Sequence, residues 1–257
     1  LEGAVTKGGG RINYGSRVEE LVIREGSVVG VRAQFESIKA EIAAAVVVLN
    51  IPAGAASRTM VKDEAVRGRL EGLAAEAFPP FLPVSLFVGV DDSVVPDPMC
   101  EHVFTMHDQD AVAEPSNFLY VSLSPSWDSA RAPRGKRALT ITTYVSSQEW
   151  AQVRDNQAFK RDKTEEILSG LERVIPLSEA NIDFIDMATP LTYERSTLRE
   201  RGRLGRPLMQ VAPTELSSDE RAPAGLYFVG DHAYPGHGVM SAALSAYRVA
   251  HSILSGR

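Results

Sequence analysis

A mixed α/β fold (α+β elements in one chain) is what this sequence predicts, and three observations carry the prediction. Four strand candidates follow one another between residues 84 and 145 without a helix between them, the pattern of an antiparallel sheet. Apolar stripes at helical spacing cover 63–78 and 147–174. The last part of the chain, "GLYFVGDHAYPGHGVMSAALSAYRVAHSIL" (225–254), reads as a strand, a Gly/Pro-rich turn and a small-residue helix.

The elements follow in order. "LEGAVTKGGG" has Leu1 and Val5 at helical spacing and is stopped by Gly8, Gly9 and Gly10, so it reads as the end of a helix. "RINYGSRVEELVIREGSVVGVRA" alternates apolar residues around "EGS", a hairpin signal, and "AAAVVVLNIP" (43–52) reads as a continuous buried strand. Val66, Leu70, Leu73 and Ala77 form one helical stripe, which the prolines at 79, 80 and 83 end.

The strand candidates are "VSLFVGV" (84–90), "HVFTM" (102–106), "NFLYVSLS" (117–124) and "LTITTYV" (139–145). The apolar run 78–90 reads as a buried strand and its lead-in, with an entrance for an apolar substrate as the alternative. The helix over 147–174 is expected to break near Asp155, with Ile167, Leu168, Leu171 and Val174 inside. "NIDFIDMATP" is a further strand, and "LTYERSTLRERGRLGRP" (191–207) reads as a solvated loop.

With 257 residues the chain can bury a sizeable core, and 44% apolar with 23% charged residues is ordinary globular composition. A net charge of -6 and a pI near 5.5 argue against a nucleic-acid partner. The single cysteine, Cys100, excludes an internal disulfide and a Cys-rich metal site. The longest apolar stretch, 42–56, is interrupted by Asn50 and Pro52 and falls short of the roughly 20 residues of a membrane helix. No secretory leader is visible, so the expected location is cytoplasmic. The chain opens on Leu1, in what reads as the end of a helix, so residues ahead of it are expected.

The turn between 230 and 240 carries the chemistry. A strand ending in Gly230-Asp231 leads into a helix beginning with Gly236, Gly238, Val239 and Met240, whose free backbone N–H groups attract anions and electron-rich oxygens. The glycines let a ligand approach the backbone, and Asp231 accepts hydrogen bonds from ligand hydroxyls. The same pattern also fits an ordinary strand–turn–helix connection.

"GHGVMS" (236–241) fits a dinucleotide fingerprint poorly, because the chain ends before an acidic residue about 20 positions later. A metal site through His232 and His237 has no Cys or third His nearby and Asp231 as its one obvious extra ligand, and the histidines are better read as lining a pocket or capping the helix. Tyr234 shapes a pocket wall or packs. No nucleophile motif occurs, and Cys100 reads as a small residue at a strand edge.

These residues resemble the C-terminal flavin motif of the phytoene desaturase-like FAD-dependent oxidoreductases, in the branch of carotenoid isomerases and retinol saturases. "INYGSRVEELVIREGSVVGVRA…AAAVVVLNIP", "SPSWDSARAPRGKRALTITTY" and "TPLTYERSTLRERGRLG" resemble further segments of that family in the same order. The resemblance implies FAD as cofactor, with Gly230 and Asp231 at its ribityl and phosphate region. It implies Gly238, Val239 and Met240 at the helix end facing the flavin ring, Gly236 among the cofactor-binding residues, and the backbone of Val18 at the adenine. The family's G-x-G-x-x-G segment has no counterpart here.

The implied fold is an incomplete FAD-binding Rossmann-like domain interleaved with an antiparallel-sheet substrate domain. Residues 1–56 and 189–257 are expected to form the FAD-domain parts and 57–188 the substrate or cap domain. The implied activity is desaturation, saturation or redox-assisted isomerisation of an apolar alkene- or polyene-like substrate, with no catalytic residue assigned. His232 and His237 transfer protons if they face the pocket. The alternative is a non-catalytic truncated or split member supporting another chain. Expected partners are the apolar substrate, a peripherally touched membrane surface, and either a chain supplying the missing N-terminal segment or a second copy of this one.

Overall fold

The computed structural model describes residues 1–74, 80–111, 114, 116–153, 156–204, 222–233 and 238–256. It divides into two compact units, Leu1–Ala77 with Gly205–Arg257, and Phe78–Leu204.

Numbered in chain order, the first unit holds α1 (Glu2–Lys7), β1 (Ser16–Arg24), β2 (Ser27–Phe35), β3 (Ile38–Ala43), β4 (Val47–Leu49), α2 (Ala53–Met60), α3 (Glu64–Ala74), β10 (Leu226–Phe228) and α7 (Gly238–Ser255). The first three strands form an antiparallel sheet in the order β1-β2-β3. Its first hairpin turns on Glu25 and Gly26, both at positive φ, as a two-residue turn matched to strand twist requires. β4 and β10 pair in parallel, with Tyr227 opposite Val48. Leu21, Val28, Leu49, Ala56, Val61, Val66, Leu70 and Leu226 form this unit's core.

Two expectations change here. The run 43–52 is not one buried strand: β3 ends at Ala43, only Val47–Leu49 continue as β4, and Val46 and Val48 are exposed. The reason is pairing, since among the described residues β4 has β10 as its one neighbour. The eight residues after Pro52 form α2, which its weak helix formers Gly54, Ser57 and Thr59 hide in the sequence.

The second unit holds β5 (Phe81–Asp91), β6 (His102–Met106), β7 (Phe118–Leu123), β8 (Lys136–Ser146), α4 (Ser147–Val153), α5 (Gln157–Leu171), β9 (Ile182–Ala188) and α6 (Pro190–Thr197). The five strands make an antiparallel sheet in the order β6-β7-β8-β5-β9. Alternation along β5 sends Leu82, Val84, Leu86, Val88 and Val90 into a core shared with Leu139, Ile141, Leu119, Val121 and, from α5, Ile167 and Leu171. Leu168 and Val174 lie at its margin. Pro83 sits within β5 because β9 pairs only from Ser85 onward, so its missing N–H breaks no ladder there.

The segment expected as a loop begins as helix α6. Pro190 stands at its first position and Thr189 closes a capping box with Thr192, two start signals at the "TPLT" stretch. The units divide after Ala77 and after Leu204, later than the expected boundaries at 56 and 188. Val66 and Leu70 place α3 in the first unit's core, and α6 packs on β5 and β9.

Candidate functional site

The parallel pair determines the site. β4 and β10 run side by side and end together: Val229 N–H donates to Leu49 O at 2.9 Å, and the next residues, Asn50 and Gly230, bring the two strand ends to one place. Gly230 has φ +114°, a region L side chains rarely adopt. A Cβ there would lie 2.4 Å from Asn50 Oδ1 and 2.8 Å from His232 Cε1, so the polar side chains of both strand ends crowd over a bare backbone.

α7 is held against this point. Gly230 N–H donates to Ser245 Oγ at 2.7 Å, and the same hydroxyl donates to Ala242 O at 2.9 Å. Ser245 is the eighth residue of α7, so the helix begins roughly 10 Å along its axis from this anchor. Its first turn carries Gly238, Val239 and Met240, with Val239 and Met240 exposed. Their N–H groups have no partner inside the helix and form the positive end of its dipole.

Asp231 and His232 follow Gly230 in a turn closed by Ala233 N–H to Gly230 O at 3.1 Å. The Asp231 side chain is 16% exposed and its Oδ1 lies 3.8 Å from His232 Nδ1, beyond hydrogen-bond length. The His232 side chain is 8% exposed, and neither ring nitrogen has a hydrogen-bond partner among the described residues.

The structure therefore brings Gly230 and Asp231 together at one strand end, with Gly238, Val239 and Met240 on the helix anchored to it. Val18 belongs to a different sheet: it is half-buried in β1 opposite Ala33, at a point where the ladder skips Glu19. Gly236, Tyr234 and His237 lie outside the described residues. Sequence reasoning missed Asn50 and Ser245 as site residues. The signal for Asn50 is a polar residue ending an apolar run, as Asp231 ends "YFVG"; Ser245 is one hydroxyl among alanines and announces nothing.

A cavity of about 500 Å³ lined by Val28, Val29, Ala43, Ala45, Ala224 and Gly225 lies at the opposite, N-terminal ends of β4 and β10. Its alanine lining offers no orphaned polar atom, so the strand ends are the better site. Cys100 is exposed. Among the described residues no cluster of His, Cys, Asp and Glu is suited to a metal, and no helix is long and apolar enough to cross a membrane.

In the second unit, the sheet face opposite the core carries a different arrangement. Register places Phe104, Tyr120, Thr142 and Ser85 in one row across β6, β7, β8 and β5, and Met106, Phe118, Tyr144 and Pro83 in the next. Phe104 and Tyr120 stack with ring centroids 4.7 Å apart, and Phe118 and Tyr144 are 5.6 Å apart. Ser85 Oγ lies 2.9 Å from Thr142 Oγ1 and accepts from Tyr193 Oη of α6 at 2.8 Å. Burial pushes the Tyr144 phenol up from its ordinary value, and Tyr193 adds to the shift. Phe81 and Phe87 of the run 78–90 lie exposed, although the rest of β5 is mostly buried.

No family model matches the chain. Its sequence is 30% identical to a prolycopene isomerase of Arabidopsis thaliana over 261 residues, covering 98% of this chain and 43% of that protein. A Daucus carota prolycopene isomerase is likewise 30% identical, covering 95% of this chain and 40% of its own length. This chain is a relative of the prolycopene isomerases. That relationship places it beside the carotenoid-isomerase branch its motifs resemble, and the chain spans about two fifths of the length of these isomerases. Among solved structures, an oxidoreductase from Methanosarcina mazei aligns with a TM-score of 0.63 at 20% identity, covering 97% of this chain and 52% of that one. A putrescine oxidase variant aligns with a TM-score of 0.54 at 15% identity, covering 93% of this chain and 48% of that one. The fold of this isomerase relative is thus shared with oxidoreductases.

Proposed function

We propose that this chain carries the flavin-facing and substrate-facing parts of an FAD-dependent oxidoreductase acting on an apolar polyene, with redox-assisted isomerisation as the reaction. The observation that carries the reading is the joint end of β4 and β10: a bare Gly230 backbone, the Asp231 carboxylate and the first turn of α7 stand where a parallel α/β layer places its ligand. The residues fit a flavin nucleotide. A Cβ would fill the cradle at Gly230, and His232 has two buried ring nitrogens without partners among the described residues. The relatives' activity, isomerisation of prolycopene, favours isomerisation over net desaturation or saturation.

FAD, when bound, supplies hydride or electron exchange. The chain's own residues bind and orient. Asp231 accepts from hydroxyl groups, Gly230 admits them to the backbone, and Gly238, Val239 and Met240 offer N–H groups that favour negative charge near the helix end. The bulge beside Val18 leaves an irregular ladder at the position assigned to adenine. Phe104, Phe118, Tyr120 and Tyr144 offer flat apolar surface suited to a polyene, and the Ser85, Thr142 and Tyr193 hydroxyls bond one another across β5, β8 and α6.

A second reading, that the chain works joined to further polypeptide, has its own observation. Met240, Leu244, Tyr247 and Leu254 recur along one side of α7 and all are exposed, as are Val46 and Val48 at β4, which among the described residues pairs on one edge.

The test is a visible spectrum of the purified chain with and without added FAD, followed by a polyene isomerisation assay with reduced flavin. Flavin bands near one equivalent and isomerised product are expected. A protein that stays colourless and leaves FAD fluorescence unchanged overturns the cofactor assignment for this chain.

A further inference from the structure

The His232 imidazole stands out among the buried polar groups. Its side chain is 8% exposed, yet neither Nδ1 nor Nε2 has a hydrogen-bond partner among the described residues, and Asp231 at 3.8 Å is too far to supply one. Folded proteins pair nearly all such groups, and an orphaned one marks a missing ligand, water or ion. The ring's Cε1–Nδ1 edge lies over Gly230, at 2.8 and 3.0 Å from where a Cβ would be, so it is held at the strand end rather than turned into the apolar core. The core residues Leu226 and Leu49 belong to the strands just before this point.

A neutral imidazole presents one donor and one acceptor. A hydroxyl-bearing chain, whose groups both accept and donate, satisfies the two nitrogens together, whereas phosphate oxygens offer acceptors alone. We infer that His232 is a positioning residue for the flavin nucleotide, one ring nitrogen donating to and the other accepting from the hydroxyls of its ribityl chain. The inference rests on the FAD assignment above and adds a residue whose place in the sequence, one past the Gly-Asp pair, suggested only pocket lining, helix capping or proton transfer. Asp231 and His232 then act on the same polyol from adjacent positions, the carboxylate as acceptor only.

The experiment compares wild type, His232→Leu and His232→Asn by FAD titration, followed through flavin fluorescence, and by thermal unfolding without FAD. Leucine removes the orphaned nitrogens, and asparagine keeps a donor and an acceptor. His232→Leu is expected to weaken FAD binding at least tenfold while leaving the FAD-free melting temperature unchanged or higher. His232→Asn is expected to recover most of the affinity. FAD affinity of His232→Leu within twofold of wild type overturns the inference. So does a loss of affinity accompanied by a lower FAD-free melting temperature and no recovery in His232→Asn, the signature of a packing residue or one paired with ordered water only. Wild type that binds no FAD overturns the cofactor assignment itself, and this inference with it.

Discussion

The two units solve the problem of burial differently. The second stacks five long strands against α5 and buries large side chains completely, among them Leu82, Leu86, Leu119, Leu139, Ile141, Ile167 and Leu171. The first has a three-stranded hairpin sheet, a two-stranded parallel pair of three residues each, and a core in which, among the described residues, only Leu70 and Ala56 are fully shielded from water. Its longest helix buries two serines and exposes Met240, Leu244, Tyr247 and Leu254. The second unit therefore behaves as a closed core with one decorated face. The first behaves as a partly built layer, whose special geometry collects where its parallel strands end.

Removing bulk from the closed core tests that contrast most strongly. Leu86→Ala, at a fully buried position in β5, an interior strand paired on both sides, is expected to destabilise the second unit by about 2–5 kcal/mol. Both tryptophans, Trp127 and the buried Trp150 packed on Phe159, lie in this unit, so their fluorescence in a denaturant titration reports on it. An unchanged midpoint would show that the core tolerates a cavity and that the contrast between units is wrong.

Gly230→Ala is the next effect in size and falls on the other unit. The added methyl meets Asn50 and His232 and forces an L residue to φ +114°, a strain of about 1–3 kcal/mol. FAD affinity is expected to drop by about tenfold to a hundredfold, which corresponds to roughly 1.4–2.8 kcal/mol. Tryptophan fluorescence is expected to show an unchanged denaturation midpoint. Full FAD affinity in Gly230→Ala would remove the strand end from the site.

The same contrast explains what the sequence made legible. The second unit's strands repeat apolar residues at every other position over six to eleven residues and follow one another with no α-helix among the described residues from β5 to β8, so its antiparallel sheet was readable from the sequence. In the first unit the run 43–52 looked like one buried strand because it is apolar without alternation from Ala43 to Leu49. Whether such a run is buried depends on how many neighbours it pairs with, which its own residues do not encode. The placement of Gly230 and Asp231 at a strand end, with α7 after them, was readable because a strand-like run, a Gly/Pro-rich turn and a small-residue helix follow one another there. Asn50, Ser245 and the aromatic rows of the second sheet were not, since they become neighbours only through register and helix packing. Helix α6 was readable in principle from Thr189, Pro190 and Thr192, but the polar, Gly-punctuated stretch that follows outweighed its start signals.

The smallest expected effect concerns the ties that hold the first unit's hairpin sheet to its helices. Glu20 of β1 pairs with Lys62, between α2 and α3, and with Arg32 of β2 at 2.8 Å. The hydrogen bond from Lys62 is the main cause that holds the Glu20 carboxyl below its ordinary 4.5, partial burial opposes it, and Arg32 adds to the lowering. A carboxyl with a lowered folded-state value contributes stability that is present above the unfolded value, near 4.5, and is lost as pH falls through the lowered one. Glu20→Gln is therefore expected to be less stable than wild type at pH 7, by no more than about 1 kcal/mol because Lys62 and Arg32 are largely solvated. The gap should close below pH 4.5, as the wild-type carboxylate takes up its proton. Melting temperatures of both proteins between pH 3 and pH 7 check this. A gap that stays constant over that range would mean that Glu20 acts through packing rather than charge, and that the first unit's sheet is tied down by its small core alone.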